Sequence, residues 1–218
     1  MVSEGGLALD GALRFGGGGG PRSEGEVKGV ILDRDGTLID FVRDEETGAV
    51  VSAFHPDHVR LLPGVVEGLR ALSDAGYILA IATNQPGVAK GQISMHSVEQ
   101  TNTELVHVLA SKGVKVAAVK VCFHHPRGAP GGDTTFIRPC NCRKPGTAML
   151  FQLAFELRLS RAESWMVGDS GDDDIRAGHA AGMRTGLLTK GSPETLVAPD
   201  LYAPTLDLLA QQILEMVE

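Results

Sequence analysis

The chain has 218 residues, 43% of them apolar, and a formal net charge of −7. An acidic chain with no stripe of lysine and arginine offers no footprint for a nucleic-acid backbone, and no uncharged apolar run reaches the roughly 18 residues a membrane span needs. Its first residues, "MVSEGGLALDGALRF", lack the basic start and apolar core of a secretory signal, so a cytoplasmic protein is expected.

In chain order, residues 1–26 read as a tail, because Gly16 to Gly20 form a run that cannot hold regular structure cheaply. A single domain over 27–218 is expected to follow. "VKGVIL" is a strand, and "LLPGVVEGLRALSDAG" a helix with Pro63 at its start, Val65, Leu69 and Leu72 on one face and Gly76 closing it. Between them, "RDEETGAV" reads as a hairpin tip turned at Gly48. "YILAIAT" is a buried strand, a polar helix runs from Ser94 to Lys112, and "KVAAVKVCF" is a third strand. "GTAMLFQLAFELRL" is a helix, "ESWMVG" a strand, "DIRAGHAAG" a short helix, "RTGLLT" a fifth strand and "PTLDLLAQQILEMV" a closing amphipathic helix. Alternating helices and uniformly apolar strands predict an α/β fold, a doubly wound parallel sheet with helices on both faces. Ligands of such sheets lie beyond the carboxyl ends of the strands.

Those ends carry the chemistry. The first strand runs into "DRDGT"; extended residues two apart point the same way, so Asp33 and Asp35 face one site while Arg34 points elsewhere. One carboxylate of such a pair can attack an electrophile while the other moves protons. Thr83, Asn84 and Gln85, followed by Pro86, end the second strand with a hydroxyl, amides and free backbone N–H groups suited to phosphate. Asp169 ends the fourth strand, and the crowd of Asp172, Asp173 and Asp174 after it also suits a helix start. Clustered carboxylates repel unless a hard cation sits among them, and oxygen ligands of this kind suit Mg²⁺. Lys144 would help hold Asp33 ionised against an approaching phosphate.

All three cysteines fall between positions 122 and 142. An odd number in a reducing compartment points to metal rather than disulfides. Cys122 and His124 are two apart, as are Cys140 and Cys142, so each pair projects to one side and together they offer the Cys₃His tetrahedron that Zn²⁺ favours. His125 is the other candidate, but its side chain points away from that of His124. The loop between the pairs is rich in Gly and Pro and poor in apolar residues, so metal rather than packing must order it. Cys142 directly precedes Arg143 and Lys144, which ties that metal to two cations at the site.

Together "DRDGTL", "ATNQPGVAKG", "CRKP" and "VGDSGDDDI" resemble the four ordered motifs of the haloacid dehalogenase (HAD) phosphohydrolase superfamily over nearly all of Lys28 to Leu188. The resemblance implies a Rossmann-like HAD fold, Asp33 as phosphoryl-accepting nucleophile and Asp35 as general acid, then base. It also implies Thr83 and Lys144 as phosphoryl binders, and Mg²⁺ held by Asp33, Asp169 and the backbone carbonyl of Asp35. The C-x-H…C-x-C loop is similar to the subgroup of heptose-bisphosphate 7-phosphatases and histidinol-phosphate phosphatases. That likeness implies substrate contacts from Arg143, from Asn84, Gln85 and Pro86, and from the segment around Phe41 to Asp44. The acidic motif is one residue longer than usual, which leaves the partner of Asp169 open between Asp173 and Asp174.

The intervals from Asp35 to Thr83 and on to Lys144 leave no room for a separate cap domain, so loops must wall the pocket, with Arg143, Lys144 and Lys90 available to supply charge for a second phosphate. The expected activity is Mg²⁺-dependent hydrolysis of a sugar bisphosphate, D-glycero-D-manno-heptose 1,7-bisphosphate at its 7-phosphate. Histidinol phosphate is the rival substrate, and a non-catalytic, zinc-stabilised binder of a phosphorylated ligand is the rival class. A monomer is expected, since no coiled-coil or apolar stripe is visible.

Overall fold

The computed structural model describes residues 26–43, 48 and 50–216. The expected tail therefore lies outside the described residues except for its last position. The elements in order are β1 (Gly29–Leu32), β2 (Val42–Arg43), β3 (Val50–Val51), α1 (Val65–Asp74), β4 (Ile78–Asn84), α2 (Met95–Ser111) and β5 (Ala118–Cys122). There follow α3 (Ala148–Glu156), β6 (Trp165–Gly168), α4 (Arg176–Ala180), β7 (Arg184–Leu188), β8 (Leu201–Ala203) and α5 (Leu206–Glu215).

Six strands form one sheet in the order β5-β4-β1-β6-β7-β8, and every neighbouring pair is parallel. The chain winds outward from β1 through β4 to β5, then returns to lay β6, β7 and β8 on the other side. The winding reverses between β1 and β6, and a crevice opens at their carboxyl ends. No separate cap domain is present among the described residues.

Alternation along the buried strands assigns side chains to two layers. Val30, Leu32, Leu79, Ile81, Trp165 and Val167 pack against α1, α2 and α5, while Ile31, Ala80, Ala82 and Met166 face α3 and α4. The second layer is built from smaller residues on β4, which lets α3 lie close to the sheet and brings Cys122 into its core. α2 starts at Ser94, whose hydroxyl accepts the Ser97 N–H at 3.0 Å.

Two features lie outside the five parallel strands read from the sequence. β8 is a sixth strand of three residues at the sheet edge, too short to show a period; Asp200 just before it accepts the Thr185 N–H and hydroxyl at 2.7 and 2.9 Å. The second feature is a pair of short strands before α1. β2 and β3 pair antiparallel with Val42 opposite Val51, and Gly48 between them has φ 68°. That is the hairpin expected from "RDEETGAV", although residues 44–47 and 49 of its tip lie outside the described residues.

Candidate active site

Asp33 leaves the end of β1 with its N–H on the Val167 carbonyl at 2.8 Å, which fixes it beside the end of β6. Two glycines make room for the neighbouring carboxylates. A Cβ on Gly36, which turns at φ 79°, would lie 2.2 Å from Asp169 Oδ2, and one on Gly168 would lie 2.1 Å from Asp174 Oδ2. Only glycine leaves space for these acids at those positions. The oxygens of Asp33, Asp169 and Asp174 lie within 4.8 Å of one another, a set suited to a hard divalent cation.

Lys144 is buried between two of them. Its Nζ lies 2.6 Å from Asp33 Oδ1, 2.6 Å from Asp174 Oδ1 and 2.6 Å from the Ala82 carbonyl. Burial alone would lower the ammonium's pKa, but Asp174 and Asp33 more than reverse this and hold it charged. Asp33 is pushed up to about 7, first by burial, with Lys144 opposing and Asp174 adding to the rise. Asp169 is raised to about 6 by burial and then by Asp174. These carboxylates lack enough positive charge for full ionisation, which is the electrostatic mark of a site that fits a divalent cation.

The choice between Asp173 and Asp174 is decided by the turn after β6. Ser170 accepts the Asp173 N–H at 3.1 Å, and Gly171–Ile175 form one wide π-type turn that absorbs an extra residue before α4. Asp174 then points inward, nearly fully buried, with Oδ2 on the Ser170 N–H at 3.1 Å. Asp173 stays at the cleft edge, near the Asn84 amide at 3.4 Å.

Asp35 is turned toward the interior. Its four lone-pair positions take Arg34 Nε and Nη2 at 3.0 and 3.1 Å, Gln85 Nε2 at 2.7 Å and the Ala53 N–H at 3.0 Å. Gln85 Nε2 also donates to Thr83 Oγ1 at 2.9 Å, so one amide links the expected acid–base residue to the expected phosphoryl binder. Asn84 brackets the Lys144 backbone from the cleft wall: its Oδ1 accepts the Lys144 N–H at 2.9 Å and its Nδ2 donates to the Lys144 carbonyl at 3.0 Å.

A cleft of about 250 Å³ gathers Asp33, Asp35, Asn84, Pro86, Arg143, Lys144 and Asp169, and Phe41 and Ser52 form part of its wall. Through Ser52 and Pro86 it adjoins a cavity of about 570 Å³ walled by Val50, Val51, Phe54, Gln85, Lys90 and Ile93. The second space has the size of a small-molecule site.

The cysteine window closes on itself as its spacing predicts. Sγ of Cys122 lies 3.7 Å from Cys140 Sγ, 3.1 Å from Cys142 Sγ and 3.7 Å from His124 Nδ1, and His124 Nδ1 lies 3.2 Å from Cys142 Sγ. All three cysteines are free. Zinc–sulfur bonds of about 2.3 Å at tetrahedral angles separate sulfurs by about 3.8 Å, so small adjustments admit the ion. Burial pushes the Cys122 and Cys142 thiols up, a condition that a bound cation reverses. His125 stands apart, its Nδ1 accepting the Gly128 N–H at 3.1 Å.

Comparison with known proteins agrees with this geometry. A family model described as HAD-hydrolase-like matches residues 141–214. D-glycero-beta-D-manno-heptose-1,7-bisphosphate 7-phosphatase of Haemophilus influenzae is 35% identical over 170 residues, 77% of this chain and 85% of that protein. The protein of the same name from Escherichia coli K12 is 32% identical over 185 residues, 84% of this chain and 91% of the relative. The chain belongs to the HAD phosphatase superfamily. A D,D-heptose 1,7-bisphosphate phosphatase from B. bronchiseptica, solved with magnesium and phosphate, superposes on this HAD phosphatase with TM-score 0.66 at 28% identity, covering 87% of this chain and 99% of that one. A HAD-like phosphatase from Mesorhizobium loti gives TM-score 0.71 at 26% identity, covering 89% and 90%.

Sequence reasoning missed three participants. Arg34 is fully buried and grips Asp35 rather than pointing elsewhere. Asn102 accepts Arg34 Nη1 at 2.8 Å; its signal was available, since it is a polar residue at core spacing between Val98 and Leu105. Ala53, whose backbone meets both Asp35 and Arg34, left no signal because any residue supplies an N–H and a carbonyl.

Two outcomes follow for the metals. Asp33 and Asp169 have pKa values raised above the ordinary 3.8, so the folded chain binds protons the unfolded chain has released. Metal-free protein should therefore lose stability as pH rises from about 4 to about 7. Mg²⁺ binds the ionised carboxylates, so its melting-temperature increment should be larger near about pH 8 than near about pH 5; equal increments in a thermal melt would count against metal at this triad. For the cysteine cluster, Cys140→Ser should release a tightly held ion in metal analysis and cost about 3 kcal/mol. That loss lowers the melting temperature by roughly 6–12 °C, while any dependence of activity on Mg²⁺ persists. A metal-free wild-type preparation with native melting would contradict the assignment.

Proposed function

We propose that this chain hydrolyses a sugar bisphosphate, removing the 7-phosphate of D-glycero-D-manno-heptose 1,7-bisphosphate through an aspartyl-phosphate on Asp33, with Mg²⁺ required. The observation that carries the chemistry is the buried contact of Lys144 with Asp33 and Asp174 at the sheet's switch point. A carboxylate that must attack a phosphate needs a fixed cation beside it. The sugar is supported by relatives at 32–35% identity that carry that name.

In this reading a phosphoryl group enters the cleft with the Asp33 carboxylate oxygen in line with the bond to be broken. Thr83 and Lys144 hold its non-bridging oxygens. As the Asp33 oxygen bonds to phosphorus and the sugar oxygen leaves, Asp35 gives that oxygen a proton. Asp35 then takes a proton from the water that attacks phosphorus, and Asp33 is released with inorganic phosphate. Asp33, Asp169 and the main-chain carbonyl of Asp35 would hold a divalent ion, which when bound would supply charge to offset repulsion between the carboxylate and the phosphoryl dianion.

The sugar occupies the adjoining cavity of about 570 Å³, with Arg143 and Lys90 toward its second phosphate and Asn84, Gln85 and Pro86 lining the entrance. Zinc fills the Cys122, His124, Cys140 and Cys142 cluster as a structural ion, since four protein ligands leave no open position. The working form in this reading is a cytoplasmic monomer with no nucleic-acid or membrane partner; no described helix is long and apolar enough to cross a membrane.

Phosphate release across a panel of both heptose bisphosphate anomers, histidinol phosphate and common sugar phosphates tests the substrate. One heptose anomer should exceed the rest in kcat/KM by about tenfold or more, and preference for histidinol phosphate would replace the sugar assignment. Asp33→Asn tests the chemistry on whichever substrate wins. It should reduce turnover on the order of 10³-fold or more with the fold and the cysteine-bound ion intact; retained turnover would remove Asp33 as the nucleophile.

A further inference from the structure

We propose that Arg34 is the positioning residue of the acid–base carboxylate: its buried guanidinium, held by Asn102 and the Ala53 carbonyl, fixes the direction in which Asp35 presents its proton. The proposal rests on the reading of Asp35 given above and adds a residue on which that reading is silent.

Arg34 has no exposed surface, and the one carboxylate its hydrogen bonds reach among the described residues is that of the next residue. Its two-pronged contact uses Nε on Oδ2 and Nη2 on Oδ1, the planar fork geometry that fixes a carboxylate's rotation as well as its place. The far side of the guanidinium is anchored in turn. Nη1 donates to Asn102 Oδ1 at 2.8 Å and Nη2 to the Ala53 carbonyl at 2.8 Å, while the Ala53 N–H returns to Asp35 Oδ1 at 3.0 Å. Arginine, Ala53 and Asp35 thus close a ring, and α2 braces it through Asn102.

Of the four donors on Asp35, only Gln85 also lines the open cavity. Arg34 and Ala53 are buried without contact to that space. The fixed anchors therefore lie behind Asp35, and the exchangeable bond lies in front, where a leaving oxygen must arrive. A buried arginine is costly to hold. With each of its contacts directed to Asp35 or to groups that brace it, orientation of that carboxylate is the task its placement serves. A misplacement of about 1 Å at a reacting group costs on the order of 10²-fold in rate.

The test compares kcat/KM for a turned-over sugar phosphate and for p-nitrophenyl phosphate, whose leaving group needs no proton, in Arg34→Met, Asp35→Asn and the double variant. Arg34→Met should lose on the order of 10²-fold on the sugar phosphate, markedly less on the aryl ester, and about nothing further once Asp35 is Asn. Sugar-phosphate turnover near wild type in folded Arg34→Met, equal losses on both esters, or full additivity with Asp35→Asn would each overturn it. If Arg34→Met does not fold, Asn102→Ala, which frees one side of the guanidinium, is judged by the same ratio and the same cycle. If Asp35→Asn itself leaves sugar-phosphate turnover intact, the acid assignment of Asp35 fails and the proposal falls with it; loss in Asp35→Asn with none in Arg34→Met refutes the proposal alone.

Discussion

A single ammonium group organises this site. Lys144 is 1% exposed and touches Asp33, Asp174 and the Ala82 carbonyl, so it joins residues from three separate segments of the sheet's carboxyl edge. Removing a charge from water is costly unless partners replace the solvent, and two carboxylates with one carbonyl do so here. The same contact works in reverse for the acids. Without Lys144, Asp33 and Asp174 would face each other in a buried space with nothing to separate their charges.

That dependence explains why so much of the molecule converges on one lysine backbone. Asn84 brackets both its N–H and its carbonyl from the end of β4. Cys142 stands two residues upstream, and the Arg143 N–H lies 3.4 Å from Cys140 Sγ. The Cys/His cluster thus stands on one side of the Lys144 backbone and Asn84 on the other. An ion held there would bear on the chemistry without taking part in it, because it would set where a buried cation begins its reach.

Much of this was legible in the sequence, and the limits have physical causes. Uniformly apolar strands and helix-period segments gave the parallel sheet, because burial on both faces writes itself into composition. The pairing of Cys122 with His124, and of Cys140 with Cys142, was readable as spacing, and the structure brings all four side chains together. The Asp33–Asp35 alternation was not, since the strand ends before it and Asp35 turns to the interior. β8 was not, since three edge residues are too few for a period. Asp174 could not be chosen over Asp173 without the π-type turn, which shifts side-chain direction by one residue inside a run of like residues. Arg34 defeated alternation as well. The chain leaves extended geometry just beyond β1, and a long side chain curls back to its own neighbour.

The balance of charge ties these parts to a function. Asp33, Asp35, Asp169, Asp173 and Asp174 line the cleft, and Arg143 and Lys144 line it with them. Asp35 is neutralised from behind by Arg34, an ion pair closed within the protein. The four remaining carboxylates then face two cations, an excess of two negative charges that matches one divalent ion. An excess of that size would repel a phosphoryl dianion if left alone, so the attack proposed for Asp33 needs it cancelled. Burial is the first cause of the raised values of Asp33 and Asp169, and the Asp174 carboxylate adds to both. A site built only to hold a phosphate would place cations in excess. One that places carboxylates in excess and leaves room for a hard ion fits the attack on phosphorus proposed for Asp33.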